Sequence, residues 1–222
     1  MKTITLNLYG IDELTQSVKE RVFEKYRHYY TQDSFWYESD LCDFAEICKT
    51  IGIRLSQQDI FFRGFYSQGD GSCFRSTIDI LDLLKGIRTE SWKQYAPNLK
   101  LEFPKCSCDR RVIALIEGGN IGYTSRTKIP SRGYYVAYDS EYCWYRNSRS
   151  EYQNIEDELD KLDKWVESVL EILDEHLFSW LERQYENHTS DEFLQEGFKV
   201  HEVLFTHDGR MADYLLKLVE KG

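Results

Sequence analysis

The sequence predicts an α+β fold: an antiparallel sheet packed against N-terminal helices, with a long acidic helix toward the C-terminus. Three observations carry this. Apolar residues recur at helical spacing between residues 11 and 50, with Leu14, Val18, Val22 and Tyr26 four apart. Two apolar runs then flank Gly69-Asp70-Gly71, a strong short-range hairpin signal. Finally, residues 151–196 contain neither Gly nor Pro, and Ile155, Leu159, Leu162, Val166, Val169 and Leu173 repeat at alternating steps of four and three. Strands and helices follow one another without regular βαβ alternation, which favours α+β over α/β.

Taken in order, residues 2–9 alternate polar and apolar and read as a strand. Residues 11–30 read as a helix. Ser34 reads as the cap of a second helix, whose stripe is Trp36, Leu41, Phe44, Ile47 and Cys48, with Gly52 just past its end. Cys42 and Cys48 are expected as small core residues. A strand is predicted over 53–67, bent near Gly64, with a return strand over 73–80. A shorter helix over 81–95 stops before Pro97. Further strands are expected over 99–145, broken at Pro104, Gly118-Gly119, Pro130 and Gly133.

The a/d seam extends less cleanly through His176 and Trp180. If continuous from Ile155 to Asn187, the helix has 33 residues and a length of ~50 Å. A short helix from Ser190 to Gly197, a strand over 199–206, a turn at His207-Asp208-Gly209 and a closing helix over 211–219 complete the reading. The chain of 222 residues reads as one domain, 1–222, with 151–196 an acidic helical subregion within it.

Aromatics at 15% exclude a disordered chain. No apolar run reaches the ~20 residues a membrane span needs. The N-terminus lacks the apolar core of a signal peptide, and six cysteines form no dense disulfide framework. A reducing cytoplasm is therefore the expected location.

The formal charge of −10 is unevenly placed. Residues 1–150 hold 21 Lys/Arg against 19 Asp/Glu, residues 151–196 hold 3 against 15, and residues 197–222 hold 4 against 4. Within the acidic segment Glu156, Asp160, Asp163, Glu167, Glu171 and Asp174 recur every three or four residues beside the apolar seam. Like charges at that spacing weaken a helix by a few tenths of a kcal/mol per pair. Such a row is either a solvated face or a docking surface for a basic partner, as a phosphate backbone would be. By contrast, residues 105–149 carry eight Lys/Arg against four acids among Tyr123, Tyr134, Tyr135, Tyr138, Tyr142, Trp144 and Tyr145. They read either as sheet residues with a basic outer face or as a surface for stacking nucleotides.

No catalytic motif stands out. The string from Phe61 to Phe74 offers Arg63, Tyr66, Ser67, Gln68 and Asp70, with Tyr134 and Tyr135 from the later strands, as possible ligand-binding residues. The same glycines and aspartate also simply make a turn. Cys106-Ser107-Cys108 has the wrong spacing for a zinc knuckle, the five histidines are scattered, and no metal or cofactor is expected.

Several pieces resemble a large group of small phage and prophage proteins often called "antitoxin of toxin–antitoxin stability system". They are Ile11-Asp12-Glu13-Leu14 leading to Lys19 and Tyr26-Arg27; Phe35-Trp36 and Phe44; Gly52-Ile53; and Phe65-Tyr66-Ser67-Gln68-Gly69-Asp70-Gly71 with Phe74. Gly133-Tyr134-Tyr135, Tyr185-Glu186, Thr189-Ser190-Asp191-Glu192, and Phe205 with Asp208-Gly209-Arg210 also fit. The likeness is closest over 11–80 and departs most over 81–130.

The resemblance implies a mobile-element setting in the cytoplasm of a bacterial host cell, where compact acidic proteins neutralise host defence complexes or toxins. The expected function is a non-enzymatic inhibitor, anti-CRISPR-like or antitoxin-like, with the acidic row meeting a basic surface on a host defence or toxin protein. The alternative is a nucleotide- or small-molecule-binding protein, a sponge or hydrolase, built on the Ser67–Ser72 turn. A monomer is expected over a homodimer through the seam, and direct nucleic-acid binding is not expected.

Overall fold

The computed structural model describes residues 5–144 and 154–212. In chain order the elements are α1 (Gln16–Tyr26), α2 (Phe35–Thr50), β1 (Ile53–Arg54), β2 (Ile60–Arg63), β3 (Gly71–Phe74), β4 (Ser76–Ile78), α3 (Ile80–Arg88), α4 (Arg110–Glu117), β5 (Ile121–Lys128), β6 (Ala137–Trp144), α5 (Ile155–His188) and α6 (Asp191–Val200). Four strands form an antiparallel sheet in the order β1-β4-β5-β6, and β2 pairs with β3 in a separate hairpin. The fold class is α+β with a long C-terminal helix. The chain divides into two compact units, Met1–Tyr37 with Arg183–Gly222, and Glu38–Glu182.

In the Glu38–Glu182 unit, the seam of α5 is buried as its spacing requires: Ile155, Leu159, Leu162, Val166, Val169 and Leu173 are all inside. Its continuation is Leu177 and Leu181 rather than His176 and Trp180. Each such aliphatic side chain contributes ~1.5–3 kcal/mol by leaving water, far more than the repulsion along the acidic row. Trp165 joins them and donates its indole N–H to the Pro104 carbonyl at 2.7 Å. The inner face of the sheet carries buried hydroxyls, and each is satisfied. Thr127 donates to the Phe74 carbonyl at 2.7 Å, Ser76 lies 2.9 Å from the Thr127 hydroxyl, and Ser125 donates to the Ile78 carbonyl at 3.3 Å.

The other unit has its own core, in which Ile11, Leu14, Val18, Val22 and Phe23 meet Leu194, Phe198 and Phe205. Arg27 ties α1 to the start of α6, donating to the Thr189 carbonyl at 2.7 Å and to Asp191 at 2.8 Å.

Several elements differ from the sequence reading, each for a local reason. The strand over 2–9 reduces, among described residues, to a single bridge from Tyr9 to Phe205. The helix over 11–30 is three pieces, a 3-10 turn at Ile11–Glu13, α1 and a 3-10 turn at Tyr29–Thr31, with Leu14 and Thr15 extended between the first two. The Glu13 carboxylate closes the first turn on the Gly10 N–H at 2.7 Å. The strand over 53–67 is interrupted where Asp59 accepts from both the backbone N–H and hydroxyl of Ser56. The return strand over 73–80 changes sheets at Arg75, whose guanidinium holds Asp59 at 2.7 Å.

The helix over 81–95 stops at Arg88, after which Glu90 takes a left-handed conformation with φ 51°. The strands expected over 99–145 include a helix, α4, capped by the Asp109 side chain on the Arg111 N–H. Cys48 is buried but Cys42 is exposed, since six residues along a helix turn it to another face. Helix α6 runs through Gly197 to Val200, taking the first two residues of the strand expected over 199–206, of which only bridges at Phe205 remain among the described residues. Gly197 does not end it. A Cβ there would lie 2.6 Å from the Tyr30 ring, so the glycine admits an aromatic side chain against the helix. Tyr145 and most of the closing helix over 211–219 lie outside the described residues.

Candidate functional site

The Glu38–Glu182 unit brings together the two features the sequence singles out, the acidic row and the hairpin string. At 100° per residue, steps of four and three hold the six acids on one side of α5, flanking the buried seam. Their environments then diverge. Glu156, Asp160, Glu167 and Glu171 are exposed. Among the described residues no ion pair joins any of these four to a base, whereas the neighbouring Glu158 is held by Lys161 at 2.6 Å and by the Asp109 N–H at 2.7 Å.

Asp163 and Asp174 are partly buried and are spent on the fold. The Tyr123 and Tyr138 hydroxyls both donate to Asp163 Oδ1, the second at 2.9 Å, and lie 2.7 Å from each other. Burial, with the neighbouring carboxylate, raises both phenols well above the ordinary tyrosine range. Asp174 Oδ1 accepts from the Ser72 hydroxyl at 2.6 Å, and burial pushes its carboxyl up to about 6. The exposed row is thus four carboxylates, not six, and the other two fasten α5 to the sheet and the hairpin.

In the hairpin, β2 and β3 pair in register from Ile60–Phe74 to Arg63–Gly71. The seven residues between them form a wide loop instead of the tight Gly-Asp-Gly turn expected. Asp70 closes that loop from within. Its carboxylate accepts the N–H groups of Tyr66 at 2.9 Å and Ser67 at 2.6 Å. It fills the space in front of Gly64, which is left-handed at φ 54°. Asp70 is therefore a structural acceptor, and two loop N–H groups that could have faced an anion are taken.

Of the remaining ligand candidates, Arg63, Tyr66, Ser67, Gln68 and Tyr135 are exposed. Tyr134 is brought to the hairpin, its carbonyl 2.6 Å from where a Cβ of Gly71 would stand. Phe65 turns the other way, toward Phe178 of α5 with ring centroids 5.4 Å apart.

Among the described residues, the two bases of β5 are paired locally and no ion pair joins them to α5. Arg126 pairs with Asp139 and Glu141, and Lys128 with Asp139, all on the face of β5 and β6 opposite Ser125 and Thr127. The sequence reading missed Ser72, Tyr123 and Tyr138 as anchors. The signal available was the two-residue alternation of hydroxyl-bearing Tyr123, Ser125 and Thr127. Among the described residues no group of three or more His, Cys, Asp or Glu is placed to hold a metal, and no helix is long and apolar enough to cross a membrane.

The fold and site define a small α+β protein with one long helix, buried on one side and acidic on another. The chain belongs to the family described as domain of unknown function DUF8835, whose model matches residues 36–191. No curated protein and no solved structure matches it.

Proposed function

We propose that the protein is a non-enzymatic inhibitor that docks the exposed row Glu156, Asp160, Glu167 and Glu171 on a basic surface of a macromolecular target. The target class is a nucleic-acid-binding host defence or toxin protein, as an anti-CRISPR or antitoxin would engage, in the cytoplasm of a bacterial host. One observation carries the reading: four solvent-facing carboxylates share one side of a helix whose seam is fully buried, so the charge is displayed on a fixed rod. Complementary charge raises association rates and selects the partner. The nucleotide-binding alternative has less support, because Asp70 and the loop N–H groups satisfy one another.

The test replaces Glu156, Asp160, Glu167 and Glu171 by Lys together, leaving Asp163 and Asp174 in place. Capture of a basic, nucleic-acid-binding protein from host lysate is expected at low salt, to be reversed by added DNA, and to vanish in the variant with its thermal midpoint unchanged. Undiminished capture by the folded variant rejects the proposal.

A further inference from the structure

The β2–β3 ribbon has two faces with different neighbours. Side chains alternate along each strand, so the register puts Ile60, Phe62, Ser72 and Phe74 on one face and Phe61, Arg63, Cys73 and Gly71 on the other. The first face meets α5, through the Ser72 hydroxyl on Asp174 and through Phe62, which stacks on the Phe65 ring that meets Phe178. The second face takes the connection between β5 and β6. Gly71 admits it: a Cβ there would lie 2.6 Å from the Tyr134 carbonyl oxygen and 3.1 Å from the Tyr134 Cβ. Arg63 stands directly across from Gly71, so Tyr134 and its neighbour Tyr135 come beside Phe61 and Arg63.

This face displays rings and positive charge together. Phe61 is 41% and Tyr135 55% exposed, and the Tyr135 ring lies over Gly133, its Cδ1 3.6 Å from where a Cβ would stand. Arg63 and Arg132, the latter two residues before Tyr134, are exposed. Among the described residues neither is ion-paired, whereas Arg75, Arg111 and Arg126 each hold a carboxylate. The loop's own acid, Asp70, is turned onto the Tyr66 and Ser67 N–H groups. A basic partner therefore has nothing to meet here. An acidic peptide would engage the guanidinium groups and leave the rings unused. A nucleic-acid strand uses both, with bases on the rings and phosphates on the arginines, provided its bases are not already stacked in a duplex.

We propose that this face holds a short stretch of single-stranded nucleic acid, with Phe61, Tyr134 and Tyr135 as stacking platforms and Arg63 and Arg132 on the phosphates. The formal charge of −10 argues against nucleic acid for the chain as a whole, but α5 packs on the ribbon's other face, and its field is screened beyond ~8 Å at physiological salt. The proposal is independent of what the acidic row binds, and it uses none of the loop N–H groups that Asp70 occupies.

The experiment is fluorescence anisotropy of the full chain with labelled ten-nucleotide oligo-dT and oligo-U, between about 50 and 200 mM salt. Saturable binding of at least one is expected, and the tighter of the two tells DNA from RNA. Tyr135→Ala is expected to weaken it by at least ~5-fold, while Phe35→Ala, which removes an exposed ring in the other unit, leaves it unchanged. Two phosphate contacts give a logarithmic salt slope of about −1.4, falling to about −0.7 in Arg63→Gln. No saturable binding, equal binding of a ten-base-pair duplex or of a glutamate decapeptide, an unaffected Tyr135→Ala or an unchanged slope in Arg63→Gln overturns the proposal. Should Tyr135→Ala fail to fold, photocrosslinking of bromouracil-substituted oligo-U to the wild type decides: crosslinked peptides that contain neither Phe61 nor Tyr134 and Tyr135 overturn it.

Discussion

The carboxylate of Asp70 occupies the volume a side chain on Gly64 would need: a Cβ there would lie 2.5 Å from Asp70 Oδ2. Since Gly64 is also left-handed, Gly64→Ala combines a steric conflict with a backbone penalty of ~1–2 kcal/mol. Asp70→Ala frees two N–H groups in an exposed loop and is expected to cost ~1 kcal/mol. Because the two residues share one space, the double variant should be less destabilised than the sum, measurable by urea denaturation.

Tyr123→Phe and Tyr138→Phe each remove one donor from Asp163. A hydrogen bond to a charged acceptor is worth ~1.5–3 kcal/mol, reduced here because the second phenol remains. A loss of ~1–2 kcal/mol in each single variant is expected, with the double variant exceeding the sum as Asp163 is left without either phenol. Additive, sub-0.5 kcal/mol effects (roughly the limit for independent sites) would show that the phenols do not anchor the helix.

Among the described residues, the buried Tyr30 hydroxyl has no hydrogen-bond partner, and its ring lies between those of Tyr29, Phe193 and Phe198. Removing an unsatisfied polar atom should help, so Tyr30→Phe is expected to be stabilising by up to ~1 kcal/mol. Gly197→Ala, which puts a Cβ 2.6 Å from the same ring, should be clearly destabilising. Differential scanning calorimetry separates the two outcomes by sign.

The pH dependence of global stability follows from Asp174. Its folded-state pKa is raised, so the folded protein binds the proton more tightly, and that contribution is complete below 3.8 and lost as pH rises through about 6. The loss is up to ~3 kcal/mol, less what the remaining solvent contact screens. Asp59 and Asp139 are lowered by their hydrogen bonds and bases, so their contribution has the opposite sign and fades as pH falls through their folded values. Between about pH 5 and 7 the wild type should therefore lose stability relative to Asp174→Asn, in a direct comparison of denaturation midpoints.

Periodicity made α5 legible almost to the residue, ending at His188 where Asn187 is expected, because a/d burial is a one-dimensional pattern. That two apolar runs pair as β2 and β3 was legible from the turn residues between them, but the register was not, since the loop takes seven residues. What the sequence could not show was partnership across distance. Asp163 and Asp174 look identical to Glu167 and Glu171 until Tyr123, Tyr138 and Ser72 arrive from strands 40, 25 and 102 residues away. Gly197 reads as a helix stop until Tyr30 fills its missing side chain. Helix α4 was lost to strand-like composition, although Val112 and Ile116 are one turn apart and buried.

Fastening α5 through phenols and a serine, where lysine or arginine could have served, has an electrostatic consequence. A neutral donor holds a carboxylate in place without cancelling its field. At Asp163 the helix is thus secured with none of its negative charge neutralised, while Asp174 carries its charge above about 6, and the potential reaches outward over roughly the ~8 Å screening length of physiological salt. An approaching basic surface would feel the rod before touching it, and added salt would slow its arrival more than it hastened its departure.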